Sequence, residues 1–272
     1  MYKHIQIELS NYCNLSCVEC PHHLMKRGKQ YMNDEVFETV LSDYIKDKNL
    51  NTIILHKDGE PLLHPNIRHY LCRISDTAPK AKIDLYTNGL LLTSDFIKFL
   101  GSLNNRVLIL ISFHFFNTDG KKNNYDKASS EIKASLEICP SNVEFVFTTH
   151  VTKLADINKL KKWREDWLNL RKKYKMLKDV HVNNSINPWT GLIEAENTVT
   201  FPTCPYADGA HLFIGNTGKV LACCLDLEED IVFGNVLKTD RDKILLSRSK
   251  FYESLSTGNI GGLCLTCLTS KE

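Results

Sequence analysis

The 272-residue chain has an ordinary globular composition, with 43% hydrophobic and 24% charged residues. Its 34 lysines and arginines nearly balance its 32 aspartates and glutamates, so the net charge of +2 provides no overall attraction to nucleic acid or to a membrane surface. No apolar run approaches membrane-spanning length, and the first strand pattern begins so close to Met1 that no targeting segment is predicted before it. We therefore expect a cytoplasmic protein with neither a nucleic-acid nor a membrane partner.

Strand and helix patterns alternate along the chain as far as residue 183. Short β-rich runs predict six strands, at residues 4–9, 52–56, 82–86, 106–112, 143–148 and 179–183. Apolar stripes at helical spacing predict helices that begin at capping residues near Asn33, Asn66 and Thr93 and that cover residues 125–138 and 158–177. This alternation is typical of βα units around a parallel sheet, so we predict an α/β fold with a partial (β/α)6 TIM-like barrel.

Polar segments follow the predicted strands, at residues 13–20, 56–61, 87–89, 112–114, 149–150 and 183–184. Because the carboxyl ends of the strands in a βα barrel meet at one mouth, we expect these segments to form a single site. Asn183, Asn184, Asn187 and Trp189 are suited to hydroxyl-bearing ligands by hydrogen bonding and stacking, although polar loops of this kind are often simple turns.

The last predicted barrel helix, at residues 158–177, carries many lysines and arginines with aromatic residues between them. That mixture can indicate nucleic-acid binding. Its apolar residues, however, recur at helical spacing, at Leu160, Trp163, Trp167, Leu170, Tyr174 and Leu177. The pattern favours an outer helix of the barrel with a solvated basic face.

Three cysteines follow the first predicted strand with the spacing C-x3-C-x2-C, at Cys13, Cys17 and Cys20. A short loop with three thiolates can bind three irons of a cubane cluster and leave the fourth iron open for chemistry. The same cysteines could instead form part of a zinc site or a set of buried thiols. Since the chain has ten cysteines and a reducing compartment is expected, metal ligands or reactive thiols are favoured over disulfides.

The spacing and position of these cysteines resemble those of the radical S-adenosylmethionine (SAM) superfamily, whose 4Fe–4S cluster binds SAM at the open iron. Gly59 and Glu60 after the second strand resemble the glycine-glycine-glutamate-proline element of that superfamily, with Asp58 in place of the first glycine. A glycine permits close backbone approach, and a carboxylate can accept hydrogen bonds from the ammonium group of SAM. The resemblance therefore implies that Gly59 and Glu60 contact SAM.

Two further segments match the same superfamily. Asn88 lies in a Thr-Asn-Gly turn after the third strand, and Ser112 ends the fourth strand where a serine often contacts SAM. Each signal is weak alone, since Asn-Gly is first a turn signal. Glu19 occupies the position before the third cysteine, where the family frequently has an apolar residue. The resemblance implies that Asn88 and Ser112 complete the SAM site.

A second set of cysteines lies near the end of the chain, with Gly218 between the first two in the pattern C-x13-G-x4-C. The set consists of Cys204, Cys223, Cys264 and Cys267. Four cysteines suit either a zinc ion or an iron–sulfur cluster. Beside the first motif, the segment resembles the twitch module, a shortened SPASM domain with one auxiliary 4Fe–4S cluster. We expect a radical SAM barrel at residues 1–190, a small α+β twitch domain at residues 191–272, and two 4Fe–4S clusters.

The order of all these motifs resembles that of the radical SAM dehydrogenases that oxidise the aminocyclitol 2-deoxy-scyllo-inosamine. Those enzymes carry a substrate-contacting arginine before the first auxiliary cysteine, whereas the matching stretch here is residues 187–191, Asn-Pro-Trp-Thr-Gly. The resemblance implies reductive cleavage of SAM to a 5′-deoxyadenosyl radical and oxidation of a hydroxyl-bearing small molecule, with the auxiliary cluster accepting an electron. An external one-electron reductant such as flavodoxin or ferredoxin is implied as a partner.

The catalytic residues and the outcome of the reaction remain open in the sequence. His150 and His114, at strand exits, are candidates for the base that takes the alcohol proton, although such histidines are more often structural. Cys224 could return a hydrogen atom to a substrate radical, which would make the protein an epimerase, or could simply be a buried thiol. The same motifs also fit a maturase of ribosomally made peptides or a non-enzymatic iron–sulfur or zinc protein.

Overall fold

The computed structural model describes residues 2–185, 189, 192, 203–257 and 261–268. Six strands and five helices alternate in its first part, as the sequence pattern predicts. The strands are β1 (His4–Ile7), β2 (Thr52–Leu55), β3 (Lys82–Thr87), β4 (Val107–Phe113), β5 (Val143–His150) and β6 (Leu177–Asn183). The helices are α1 (Asp34–Val40), α2 (Ile67–Thr77), α3 (Ser94–Leu100), α4 (Asp126–Glu137) and α5 (Ile157–Lys173).

The six strands pair in parallel in chain order, from β1 to β6. Alternate residues of β4 are fully buried, whereas those between them are only half-buried. Side chains alternate between the two faces of a strand, so one face packs against the helices and the other faces the concave side of the sheet. Ser112, one of the predicted site residues, lies on the concave face near the end of β4, so the site is expected on that side of the sheet.

All three helices begin directly after the predicted capping residues, and a side chain makes the capping hydrogen bond at two of them. The side chains of Asn33 and Thr93 accept hydrogen bonds from the backbone N–H groups of Val36 and Phe96, at 2.9 Å and 3.2 Å. Such bonds satisfy donors that the first helical turn leaves without partners. Asn66 precedes α2, but its side chain makes no capping hydrogen bond. The prediction of a side-chain cap at Asn66 is therefore wrong.

Helix α5 ends at Lys173, four residues before the predicted end. Its residues Leu160 and Trp167 are buried, as expected for an outer helix packed on the sheet. Tyr174 adopts an extended backbone conformation, and Leu177 pairs with Phe145 as the first residue of β6. Leu177 therefore follows the apolar stripe of the helix in sequence but packs in the sheet, because burial there outweighs continued helix propensity.

The C-terminal cysteine region extends the same sheet. Strand β7 (His211–Ile214) pairs in parallel with β1, and β8 (Lys219–Leu221) and β9 (Val232–Asn235) follow in antiparallel pairing. The strand order is β6-β5-β4-β3-β2-β1-β7-β8-β9, with α6 (Arg241–Ser256) and α7 (Leu263–Leu268) completing the region. The sheet stays open, so the barrel is partial, as predicted. The proposed domain boundary between residues 190 and 191 lies outside the described residues.

A buried ionic network joins the two regions across the sheet. The Arg27 guanidinium contacts the carboxylates of Glu8, Asp58 and Glu229 at 2.6 Å, 2.7 Å and 3.2 Å. Lys57, only 3% exposed, pairs with Asp58 and donates a hydrogen bond to the Asp226 carbonyl oxygen at 2.9 Å. Each buried charge thus has a partner of opposite sign, as burial in a low-dielectric interior requires. Among the described helices, none has the length and apolarity needed to cross a bilayer.

Candidate active site

A cavity of about 180 Å³ opens at the carboxyl ends of the parallel strands. Its wall brings together the N-terminal site residues that the sequence predicts: Cys13, Cys17, Cys20, Gly59, Glu60, Asn88, Ser112 and His150. The loops after β1, β2 and β3 and the ends of β4 and β5 each supply at least one of these residues. The convergence follows from the parallel topology, in which every strand delivers its carboxyl end to the same edge.

The cysteine loop is held in place by the segment after β4. The Ser16 N–H donates to the Asn117 side-chain oxygen at 3.1 Å, and the Val18 N–H donates to the Phe116 carbonyl oxygen at 3.2 Å. Burial raises the pKa of Cys20 to about 12 and also raises that of Cys17. Thiols in this position ionise only when a cation stabilises the thiolate. The loop is anchored and its thiols are largely buried, so its three cysteines suit the role of ligands to an iron cluster.

Gly59 lies against the backbone of the cysteine loop. A Cβ atom at this position would lie 2.3 Å from the Ser10 carbonyl oxygen and 2.6 Å from that of Tyr12. The Glu60 N–H donates to the same Tyr12 oxygen at 2.8 Å. Only glycine permits this approach, so Gly59 sets the position of the loop that carries the cysteines.

We expect Gly59→Ala to destabilise the protein by about 1–3 kcal/mol or more, because backbone atoms on both sides would have to move. Gly28→Ala is a matched control, since no heavy atom lies within 4 Å of its added Cβ. Urea unfolding followed by circular dichroism measures both changes. Equal unfolding midpoints for the two variants would contradict the packing role of Gly59.

Glu60 joins the exits of β2 and β3. One carboxylate oxygen accepts hydrogen bonds from the Leu62 N–H at 3.0 Å and the Thr87 hydroxyl at 2.8 Å, and the other accepts from the Asn88 N–H at 2.8 Å. Burial raises the pKa of Glu60, whereas these bonds act to lower it. The Asn88 side chain donates in turn to Asn14 in the cysteine loop at 2.7 Å. Glu60 and Asn88 thus fix the positions of the loops around the cavity relative to one another.

The cavity wall also contains polar residues that the sequence pattern did not assign to a ligand. Glu19 accepts a hydrogen bond from His114 Nδ1, and His56 and Lys57 lie on the same wall. The rings of His114 and His150 are parallel, with centroids 6.3 Å apart. The one signal in the sequence was the replacement of an apolar family residue by Glu19. For His114 and His56, the only signal in the sequence was their position at or just after the end of a predicted strand.

Two of these histidines have pKa values below the ordinary range. Burial lowers the pKa of His150, with the nearby His114 adding to the effect. His150 Nδ1 lies 3.2 Å from the Ser185 carbonyl oxygen. Burial lowers the pKa of His56 to about 4. Both imidazoles are therefore neutral at pH 7, and a neutral imidazole can accept a proton.

The His56 shift predicts loss of stability in acid. Because the folded pKa lies below the usual 6.5, the unfolded chain binds a proton between these values that the folded chain does not. Lowering the pH from 7 to 5 should therefore cost about 2 kcal/mol through His56 alone. Urea unfolding at both pH values should show this loss in the parent protein and a smaller loss in His56→Gln. An equal loss in both would contradict the assignment.

The four C-terminal cysteines line a second, smaller pocket of about 30 Å³. Cys204 precedes β7, Cys223 follows β8, and Cys264 and Cys267 lie three residues apart on one face of α7. The rest of the lining is mainly apolar, and burial raises the pKa of the Cys223 thiol. Within residues 2–185 and the described C-terminal ranges, no three His, Cys, Asp or Glu side chains converge as ligands of a single metal ion. The thiols surround a space instead of meeting at a point.

Cys224 follows Cys223 of the second pocket but lines neither pocket. Its sulfur is 3.1 Å from the hydroxyl of Tyr206, a residue of the second pocket. Burial raises the pKa of Tyr86, on the wall of the first cavity, to about 12, and Asp84 and Cys224 add to this effect. The thiol thus contacts Tyr206 of the second pocket and is near enough to Tyr86 of the first cavity to affect its pKa.

The predicted ligand-binding asparagines are not brought to the cavity. Asn183 and Asn184 line a separate groove beside α5, and the Asn183 side chain donates to the Thr148 hydroxyl at 2.8 Å. Trp189 does line the cavity. Asn187 lies outside the described residues. Asn183 and Asn184 therefore lie away from the cavity, and of the described residues after β6, Trp189 lines it.

Comparison with known proteins finds a family match in each of the two regions that contain the cysteine sets. Residues 7–169, well over half of the chain, match the radical SAM superfamily, and residues 204–268 match an iron–sulfur cluster-binding (SPASM) domain. The S-adenosyl-L-methionine-dependent 2-deoxy-scyllo-inosamine dehydrogenase of Niallia circulans is 28% identical over 104 residues, which are 38% of this chain and 42% of that protein. The alignment thus spans less than half of that relative.

Solved structures share the whole architecture. The structure of BtrN in complex with AdoMet and 2-DOIA superimposes with a TM-score of 0.68 at 19% identity, covering 97% of this chain and 92% of that one. The structure of anSMEcpe with bound AdoMet and the Cp18Cys peptide gives 0.65 at 17% identity, covering 92% and 82%. At such identities the likeness establishes the fold. The two matched domains imply SAM, a 4Fe–4S cluster and further iron–sulfur binding, and the chain belongs to the radical SAM superfamily.

Proposed function

We propose that this chain is an oxidoreductase that cleaves SAM reductively and oxidises a hydroxyl-bearing small molecule of the sugar or aminocyclitol type. The observation that carries the proposal is the pairing of β1 with β7, which joins a polar cavity with three cysteines to a four-cysteine pocket through one continuous sheet. The name of the Niallia circulans relative supports the substrate class. The peptide-bound neighbour supports a peptide substrate as an alternative.

The described residues include a fitting set for each of the two iron–sulfur clusters and for SAM. Cys13, Cys17 and Cys20 would hold the first cluster, and Cys204, Cys223, Cys264 and Cys267 would hold the second. Gly59, Glu60, Asn88 and Ser112 would bind SAM. When bound, SAM and the first cluster supply a carbon radical that removes a hydrogen atom, and the second cluster supplies an acceptor for one electron.

The protein's own residues position the substrate and accept its proton. The rings of His150 and His114 lie parallel on the cavity wall, and an imidazole here could take the hydroxyl proton as the carbonyl forms. Glu19 holds His114 through Nδ1, which leaves the other ring nitrogen for the substrate. Loss of one hydrogen atom, one proton and one electron from the alcohol balances its oxidation to a carbonyl compound.

Anaerobic reconstitution with iron, sulfide, dithionite and SAM tests the proposal. We expect 5′-deoxyadenosine to form, and an aminocyclitol or sugar alcohol to be converted to its carbonyl product in equal amount. No 5′-deoxyadenosine would refute enzymatic cleavage of SAM. We further propose that a cytoplasmic flavodoxin or ferredoxin replaces dithionite in the cell, since all ten cysteines are free of disulfides.

The Tyr206–Cys224 contact supports epimerisation as a second candidate function. A thiol in this position could return a hydrogen atom to a substrate radical and invert one carbon. Under that mechanism, solvent deuterium should appear in the product, and Cys224→Ala should lower product formation at least about tenfold while SAM cleavage continues. Cys139→Ala is the control, because Cys139 lies outside both pockets. Unchanged turnover and stereochemistry in Cys224→Ala would exclude the donor role.

A further inference from the structure

Another cavity, of about 720 Å³, opens at the amino ends of the parallel pair β1 and β7. Tyr2 and Gly209, each two residues before one of these strands, line it together with one face of α6, and we call it the α6 cavity. The first cavity opens at the carboxyl ends of the parallel strands, so the two lie at opposite edges of the sheet. No described residue lines both of them.

The wall of the α6 cavity contains a buried cation without a counter-charge. Arg248 is 5% exposed, and its Nη2 donates hydrogen bonds to the Gly209 carbonyl oxygen at 2.6 Å and to that of His211. Its buried Nε has no hydrogen-bond partner among the described residues. None of the ion pairs within the described ranges includes Arg248. The guanidinium therefore contacts neutral acceptors only, and one of its donors is unused.

Comparison with the other buried arginine shows the effect of the missing counter-charge. Three carboxylates surround Arg27 and outweigh the effect of burial, so the pKa of Arg27 is raised. Burial lowers the pKa of Arg248, and the nearby Tyr252 and Asp208 offset this only in part. Arginine nevertheless stays protonated in a protein, and a buried charge without a partner costs free energy.

A second arginine of α6 lines the same cavity. Arg241 lies seven residues before Arg248, which is two helical turns away on the same face. Its Nη2 pairs with Asp47 at 3.3 Å, and its buried Nε has no partner among the described residues. The other acidic residues of the wall, Asp208 and Glu253, are exposed, so water screens their charges. The excess of unused donors in this wall therefore favours an anionic ligand.

We infer that the α6 cavity binds a small oxyanion ligand, a metabolite with a phosphate or carboxylate group, with Arg248 as its main partner and Arg241 as the second. An oxyanion supplies both the counter-charge and the acceptor oxygens that Arg248 lacks, and the guanidinium group matches phosphate and carboxylate geometry. The volume lies within the range of about 300–1,000 Å³ that is typical of small-molecule sites. The inference goes beyond the proposed function, because this site lies apart from the first cavity.

Tyr252 connects the α6 cavity to the second pocket. It follows Arg248 by one helical turn, with 4.8 Å between the guanidinium carbon and the centre of its ring, and it lines both spaces. Its hydroxyl donates a hydrogen bond to the Ala222 carbonyl oxygen, directly before Cys223. A ligand at Arg248 would therefore share a wall residue with the four-cysteine pocket.

The test is equilibrium dialysis of the anaerobically reconstituted protein against radiolabelled phosphate or succinate, in Tris chloride at constant ionic strength. Arg248→Met removes the buried cation. Ser249→Glu places a carboxylate at an exposed position of the same wall and leaves the hydrogen bonds of Arg248 in place. Arg106→Met is the matched control, because it removes the same charge from a side chain that is 73% exposed. Circular dichroism confirms that each variant is folded.

We expect the parent protein and Arg106→Met to bind one equivalent of at least one of the two anions with a dissociation constant of about 1 mM, and Arg248→Met and Ser249→Glu to bind it at least about tenfold more weakly. Preference for one anion identifies the class of ligand. The absence of binding in the parent protein, undiminished binding by either cavity variant, or equal weakening in Arg106→Met would each overturn the inference. If Arg248→Met does not fold, Ser249→Glu decides.

A second measurement locates the anion. The dissociation constant of SAM should be the same with and without the anion, because the first cavity lies at the opposite edge of the sheet. Competition between the anion and SAM would place the anion in the first cavity and would overturn the inference. Failure of the proposed function would appear separately, as the absence of 5′-deoxyadenosine, and would leave the binding of the anion unchanged.

Discussion

Replacing Cys13, Cys17 and Cys20 together with alanine is expected to abolish reductive cleavage of SAM and to remove roughly half of the bound iron. The three thiols are the cysteines on the wall of the first cavity, so no other described thiol can take their place there. The second site should keep its cluster, because its four cysteines lie in a different pocket. Iron and sulfide analysis and chromatographic detection of 5′-deoxyadenosine measure the two effects.

The complementary change separates the roles of the two sites. A variant with alanine at Cys204, Cys264 and Cys267 should still form 5′-deoxyadenosine but should not release an oxidised product. Cys72→Ala and Cys139→Ala serve as controls, since both residues lie outside the two pockets. Formation of 5′-deoxyadenosine by the first triple variant would contradict the assignment of its ligands. Normal product formation by the second would exclude an electron-accepting role for its site.

The second large effect is expected at Arg27, whose side chain is 11% exposed. Arg27→Met should lower the free energy of unfolding by about 3–5 kcal/mol, because removing one partner leaves buried charges without compensation. Glu8 and Asp58 would each lose a contact shorter than 3 Å, and the Leu227 carbonyl oxygen would lose a hydrogen bond of 2.7 Å. Urea unfolding at constant pH measures the change.

Arg68→Met is the matched control for this prediction. Arg68 also pairs with a carboxylate, that of Asp95, but its side chain is 46% exposed and that of Asp95 is 80% exposed. Exposed ion pairs contribute at most about 1 kcal/mol. A loss at Arg27 no larger than the loss at Arg68 would show that the network adds little to stability.

The network also explains the departure from the glycine-glycine-glutamate-proline element at Asp58. A glycine there would leave Lys57 and Arg27 without one of their carboxylate partners. Lys57 donates a hydrogen bond to the Asp226 carbonyl oxygen, two residues after Cys224. The ionic network therefore also holds the chain segment beside the second pocket in place. Asp58 therefore links the wall of the first cavity to the C-terminal region.

The strands, the helices and both cysteine sets could be predicted from the sequence because their signals are local. Residues that alternate with a period of two identify a strand wherever it lies in the sheet, and cysteines separated by two or three residues must lie close together, whether in a loop or on one helical turn. The gathering of strand ends at one mouth also follows from the βα alternation. These rules placed Gly59, Glu60, Asn88 and Ser112 beside the N-terminal cysteines.

The tertiary structure alone decided which distant side chains meet. Glu19 and His114 are 95 residues apart, and Arg27 and Leu227 are 200 residues apart. The pairing of β1 with β7 and the turning of Asn183 away from the cavity depend likewise on sheet order and register. Such contacts result from the packing of whole elements across crossovers, for which no short stretch of sequence carries a signal. The chemistry of the loops can therefore be predicted from the sequence, whereas the charge balance of the cavity depends on how the fold brings distant residues together.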